Sequence, residues 1–194
     1  MKIAILTQYY KPEMGAPQNR LYEMAVGLKK CGADITIITG MPNYPTGKIF
    51  KEYRGKWFCK ESLDEIDVFR FWLFASNVKR VLPRVLSMLS FSFSVLFSLK
   101  YVRKKRFDFI IVESPPLTLG VSGYFLSKTC KSKMIMNISD LWPLSARELG
   151  VLTDGVIYRI LEKLECFLYK KSVACMGQSQ EIVSYVSQHG ASQA

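Results

Sequence analysis

The chain has 194 residues, 49% of them hydrophobic, and a formal net charge of +11. That supplies one well-cored domain, residues 1–194, and is short for two. Five cysteines, odd in number and without a Cys-x-x-Cys pair, exclude a disulfide framework and read as reduced cytosolic thiols; the single histidine, His189, excludes a histidine-rich metal site and leaves a Ser or Cys triad without a base.

The charge is unevenly spread. Between Arg70 and Arg106 there are nine basic residues and no acid, whereas the remainder carries 18 basic and 16 acidic residues. The N-terminus runs from one lysine into strand-like residues without the apolar core and cleavage site of a signal peptide, so a cytoplasmic location is expected.

In chain order, residues 3–6 form a continuous apolar run, the pattern of a strand buried on both faces. After Pro17 a helix is predicted, with Leu21, Met24, Ala25 and Leu28 on one stripe, Lys29 and Lys30 in the last turn and Gly32 as the stop. Pro17 suits a first helical turn, and Gly15-Ala16 put no bulk beside the helix's free amides. A phosphate can approach there, although one glycine serves equally well to ease a turn; neither Gly-x-Gly-x-x-Gly nor a Walker pattern is present.

A second strand is predicted over 35–39, followed by a stiff, exposed loop, Met41-Pro42-Asn43-Tyr44-Pro45-Thr46-Gly47. Two more strands, 57–60 and 68–72, flank an acidic turn at Asp64-Glu65. Residues 85–99 carry no charge, only five serines and ten apolar side chains. The stretch reads as a helix of roughly 22 Å, short of the approximately 30 Å needed to span a bilayer. Strand 108–112, helix 117–129, strand 134–138, helices 145–149 and 156–171, strand 173–176 and helix 181–188 complete the chain. This alternation predicts an α/β fold with a doubly wound, Rossmann-like parallel sheet.

In such sheets the ligand lies beyond the carboxyl ends of the strands. The loops expected there hold Tyr9, Tyr10, Glu13 and Gly15, then Asn43 and Tyr44, then Glu113 and Ser114, then Asp140 and Trp142. Aromatic rings covering a pyranose face, with carboxylates and an amide taking hydroxyls, are how proteins hold a sugar. Taken one at a time, Tyr9, Tyr44 and Trp142 also fit ordinary loop packing.

The set Ile5-Leu6-x-Gln8-Tyr9-Tyr10-x-Pro12-Glu13-x-Gly15-Ala16, Gly40-Met41-Pro42-Asn43-Tyr44-Pro45-x-Gly47 and Asp140-Leu141-Trp142-Pro143 resembles the N-terminal half of bacterial family 4 glycosyltransferases, notably the L-fucosamine transferase-like enzymes of polysaccharide and O-antigen or capsule assembly. The resemblance covers nearly the whole chain. It implies the N-terminal half of a GT-B enzyme that moves a sugar from a nucleotide-sugar donor with retention, without a required metal or other cofactor. It further implies a donor-diphosphate loop at Gly15, Ala16 and Pro17, acceptor contacts from Tyr9, Tyr10, Glu13, Asn43, Tyr44, Glu113, Ser114 and Trp142, and a catalytic role for Asp140, which serves equally as a helix cap. The nucleotide-binding C-terminal half with its paired glutamates is not in these residues, so this chain alone is expected to be inactive.

The apolar stretch and its cations suggest docking on an anionic inner-membrane surface through Lys79, Arg80, Arg84, Phe91, Phe93, Phe97, Arg103, Lys104, Lys105 and Arg106, within reach of a polyprenyl-diphosphate-linked glycan acceptor. A buried helix covering the sheet explains the apolar run but not nine cations without an acid. Nucleic acid is not expected as a partner, because no nucleic-acid-binding motif accompanies the charge. The competing reading is a non-catalytic Rossmann-type phosphate- or nucleotide-binding module or a membrane-associated scaffold.

Overall fold

The structure is a computed structural model that describes residues 1–78 and 80–194. Seven strands form one sheet in the order β3-β4-β2-β1-β5-β6-β7. They are β1 (Lys2–Leu6), β2 (Asp34–Gly40), β3 (Phe58–Leu63), β4 (Ile66–Phe71), β5 (Phe109–Ser114), β6 (Lys133–Ile138) and β7 (Ala174–Gly177). All neighbours are parallel except the edge pair β3/β4. That exception is a tight hairpin: Asp64 and Glu65 both take left-handed φ, 49° and 58°, as a two-residue turn matched to strand twist requires.

The helices are α1 (Ala16–Lys30), α2 (Val81–Ser94), α3 (Leu99–Val102), α4 (Leu117–Cys130), α5 (Leu144–Glu148), α6 (Val156–Lys171) and α7 (Gln180–Gln188). One apolar cluster joins Ile3, Ile5, Leu21, Ala25 and Ile37 beneath α1; the other joins Leu6, Ile38, Phe71, Phe91, Val112, Leu126 and Leu168 beneath α2, α4 and α6. Both faces of the sheet are therefore covered, and β1, β2 and β5 are near-continuous apolar runs for that reason.

The segment after Arg80 is helical well beyond the charge-free stretch. Through α2, a 3₁₀ turn (Val95–Ser98), α3 and a further 3₁₀ turn (Arg103–Lys105) it forms a 25-residue run, Val81–Lys105, long and apolar enough by length and composition to cross a membrane. Here it packs along α4. The serines face inward: Ser92 Oγ donates to Thr118 Oγ1 at 2.9 Å, Ser122 Oγ donates to the Ser92 carbonyl at 2.7 Å, and Ser94 Oγ donates to the Trp72 carbonyl at 2.5 Å. Ser87 and Ser98 are also buried. Two of the ten residues expected to dock are corrected here. Phe91 is fully buried in the core and is not a surface residue. Lys105 is occupied by Asp67 at 2.6 Å and Thr36 at 3.1 Å and is not a free cation. Arg80, Arg84, Phe93, Phe97, Arg103, Lys104 and Arg106 are exposed, and Lys79 lies outside the described residues.

At the far end of the sheet Glu165 is fully buried on α6, accepting from Tyr169 Oη at 2.7 Å and from Tyr185 Oη on α7 at 3.2 Å. Burial raises its carboxyl above the ordinary glutamate value, with the two tyrosine hydroxyls opposing the shift. A raised acid favours the protonated folded state, so its contribution to stability is fully present below the unfolded value and is lost as pH rises through the raised one. Chemical denaturation as a function of pH should therefore show the wild type losing stability relative to Glu165→Gln as pH climbs above about 4.5; parallel curves would show that Glu165 does not titrate differently in the two states.

Candidate functional site

The strand order reverses between β1 and β5, so the crevice expected of an open parallel sheet lies beyond the carboxyl end of β1. A cleft of about 620 Å³ is found there, lined by Gln8, Tyr9, Gly15, Ala16, Pro17, Gln18, Asn43, Tyr44, Pro45, Gly47, Ser76, Asn77, Arg84, Ser87 and Met88. Its walls are the β1–α1 loop, the loop after β2 and the first turns of α2.

Glu13 builds the wall between the two loops. Its side chain is completely buried, with Oε2 accepting the Tyr10 amide at 3.1 Å and Oε1 accepting the amides of Asn43 and Tyr44, both at 2.8 Å. Burial raises its carboxyl, while those three amides and the nearby Arg70 guanidinium pull it down. Arg70 is itself fully buried on β4. It donates to Glu61 at 2.5 Å and to the carbonyls of Lys11 and Gly40, and its guanidinium lies over the Tyr53 ring. Two loops distant in sequence are thereby held to one strand.

With Glu13 beneath them, the side chains above are left to the cleft. Tyr9 and Tyr44 meet edge to face with ring centroids 6.4 Å apart, and Tyr44 is 46% exposed. Burial raises the Tyr9 hydroxyl and Arg84 lowers it. Gly47 takes a left-handed φ of 67°, and a Cβ there would lie 2.2 Å from the Asn77 amide nitrogen, so only glycine lets the two loops close. Gly15 caps α1 without any side chain bonding the first amides; a Cβ on it would sit 2.5 Å from Gln18 Oε1. That oxygen and Gln8 Oε1 are buried and unpartnered, both on cleft-lining residues. Among the described residues no carboxylate or imidazole lines the cleft, whose ionic character comes from Arg84 and the α1 N-terminus. It is built to hold anionic and hydroxyl-bearing groups, with no general base of its own.

The structure brings Tyr9, Gly15, Ala16, Pro17, Asn43 and Tyr44 together in this cleft. It places other predicted contacts elsewhere. Tyr10 is buried in the core beneath α1, and Glu13 is consumed by backbone amides, so neither lines the cleft. Glu113 is saturated by Arg20 at 2.5 Å, Asn137 at 2.5 Å and Ser139; burial raises its carboxyl against the pull of all three. With its amide turned so that the oxygen faces the guanidinium, Gln178 also accepts from Arg20 Nη2 at 3.0 Å. Ser114 is buried, its carbonyl accepting the Ser139 amide. Trp142 packs half-buried against the larger core. Asp140 is exposed on the same sheet edge but outside the cleft, accepting from Ser145 Oγ at 2.9 Å at the start of α5. Among the described residues no group of three or more His, Cys, Asp or Glu side chains is arranged to hold a metal ion.

Sequence reasoning missed Gln8, Gln18, Ser76, Asn77, Ser87 and Met88, and assigned Arg84 to the outer surface. For Arg84 the signal was present: it lies on the inward row with Ser87, Phe91, Val95, Ser98 and Val102, and in the first turn of α2 that row overhangs the cleft instead of the sheet.

An open α/β sheet with a ligand cleft at its carboxyl edge defines a Rossmann-like domain. The model of the glycosyl transferase 4-like domain matches residues 15–194, and the chain belongs to that family. No curated protein matches it by sequence. Among solved structures, sucrose-phosphate synthase from Thermosynechococcus elongatus is similar over the whole chain at 12% identity and a TM-score of 0.66, covering 47% of that protein. A shorter form of the same enzyme aligns with a TM-score of 0.60 at 9% identity over the whole chain and 85% of its own length. Anabaena HepE, solved with UDP and glucose, aligns over 98% of this chain and 42% of its own at 14% identity and a TM-score of 0.56. The chain thus spans about half the length of the two longer structures, and it shares their fold.

Replacing Glu13 with Ala orphans three buried amides, each costing about 1–3 kcal/mol. Urea denaturation should show Glu13→Ala destabilised by at least about 3 kcal/mol. A loss below about 1 kcal/mol would mean that the loops are held by something else.

Proposed function

We propose that this chain is the acceptor-binding side of a retaining glycosyltransferase. The enzyme would move a sugar from a nucleotide-sugar donor to a polyprenyl-diphosphate-linked glycan in bacterial surface polysaccharide synthesis, O-antigen or capsule among them, at the cytoplasmic face of the inner membrane. The observation that carries the reading is the cleft: a pair of tyrosine rings and buried, unpartnered amide oxygens for a glycan, beside an uncapped helix N-terminus and Arg84 for phosphate. Membership of the glycosyl transferase 4-like family supports it, as does likeness in fold to HepE, a structure that contains UDP and glucose. The finer likeness to L-fucosamine transferase-like enzymes rests on the loop motifs alone.

Within this reading the Gly15-Ala16-Pro17 turn meets the donor diphosphate, and a second, nucleotide-holding domain closes over it. The lack of an acid or base in the cleft fits a binding role, with sugar transfer assigned to the two domains together. Asp140, exposed on the same edge, is the carboxylate this reading assigns to the closed site.

Two measurements test this. Binding of a short-chain prenyl-diphosphate sugar to the 194-residue protein, followed by calorimetry, should weaken about tenfold in Tyr44→Ala through loss of the stacking ring. Equal affinity would remove Tyr44 from the acceptor site, and tighter binding of a free nucleotide than of the glycan would favour the phosphate-binding-module reading. In the two-domain enzyme, Asp140→Asn should lower turnover at least about tenfold without changing thermal stability. Unchanged turnover would leave Asp140 only its bond to Ser145.

A further inference from the structure

The helical run from Val81 is inverted relative to an ordinary surface helix. Its hydroxyls point into the domain, bonded to α4 and to the strand-exit backbone at Trp72, while Leu82, Val85, Leu86, Leu89, Phe93 and Phe97 are exposed. Those six recur at steps of three, one, three, four and four, which places them on one continuous outward stripe. Phe93 and Phe97 are 63% and 49% exposed and touch edge to face at 5.8 Å. A surface helix normally shows the opposite arrangement, because exposed apolar side chains gain nothing from water.

We infer that this stripe is a membrane-insertion face and that its occupant is an anionic lipid surface. Three observations select lipid over a protein partner. The stripe is bracketed by exposed cations, Arg80 at its start and Lys100, Arg103, Lys104 and Arg106 at its end, and no acid occurs anywhere from Arg70 to Arg106. Trp57, stacked on Trp72 at 5.4 Å and in edge contact with Phe97 at 5.9 Å, borders the stripe with the kind of ring that settles at a headgroup boundary. Finally, the first turns of the same helix supply Arg84, Ser87 and Met88 to the cleft, so docking the stripe brings the cleft mouth to the lipid surface.

The helix lies in the interface and does not cross it. Leaving the domain to span a bilayer would strip Ser92 and Ser94 of their partners and would expose Phe91 and Val95, which are fully buried in the core. The insertion face deepens the proposed membrane-side function by naming its surface, and it rests on that reading only for the acceptor that docking would present.

The test is flotation of the 194-residue protein with vesicles of phosphatidylcholine alone or mixed equally with phosphatidylglycerol, with no donor or glycan present, so that its failure is separate from failure of the transfer reading. The wild type should float with the anionic vesicles and lose that binding at high salt. Phe93→Ser/Phe97→Ser should bind at least about tenfold more weakly, as should Arg103→Glu/Lys104→Glu, with the folded state of each variant confirmed by circular dichroism and a cooperative thermal transition. Brominated lipid should quench tryptophan fluorescence in the wild type, a readout that needs no variant. A wild type that stays in the aqueous fraction, a serine double variant that floats as well as the wild type, or a solution dimer abolished by that double variant in place of flotation would each overturn the proposal.

Discussion

The Glu13 carboxylate sits where the loop after β1 meets the loop after β2, and the shape of the cleft depends on it. Its oxygens take three backbone amides from two segments some 30 residues apart in sequence. A neutral side chain of that size could not satisfy them, and the buried carboxylate is held chiefly by those three amides, with a smaller contribution from the nearby Arg70 guanidinium. Arg70, itself paired with Glu61, anchors the Lys11 and Gly40 carbonyls and so fixes the backbone on either side of Glu13.

The same division of labour recurs on the flank of the sheet. Serine is an ordinary choice for the wet side of a helix, yet along α2 it is used as packing material, small enough to let the helix lie close to α4 and able to bond the Thr118 hydroxyl and the Trp72 carbonyl. The large apolar side chains are thereby displaced outward. The cost of exposing them in water is the physical reason to look for a surface that covers them, and the neighbouring cations restrict which surface fits.

Much of the fold was legible in the sequence because the strands are buried on both faces and read as unbroken apolar runs; β1, β2, β5 and β6 fall within two residues of their predicted positions. The hairpin was legible for another reason, since the acidic pair Asp64-Glu65 interrupts two aromatic-rich runs and forms the turn. The same two-residue turn sets β3 antiparallel to β4, while its place at the sheet edge has no local signal. Proximity to a strand end was sufficient to place Tyr9, Gly15 and Tyr44 at the cleft but could not tell a cleft-lining side chain from a loop fastener. Glu13 and Glu113 look like sugar-binding carboxylates in sequence; one is consumed by amides and the other by Arg20, Asn137 and Ser139, partners that lie in other segments. Phe91 and Phe93 differ by only two residues, yet helical phase sends one to the core and the other to the surface.

The central claim is that the carboxyl-edge cleft is where the glycan acceptor binds. Amide chemical-shift mapping of the isotopically labelled 194-residue protein, titrated with a short-chain prenyl-diphosphate sugar, tests it most directly. The account predicts perturbations concentrated at Gly15, Gln18, Tyr44, Asn77 and Arg84, which surround the cleft on three separate segments. Shifts gathered instead around Glu162, Cys166 and His189, at the groove between α6 and the chain beyond α7, would contradict it. An unperturbed spectrum at saturating ligand would contradict it equally.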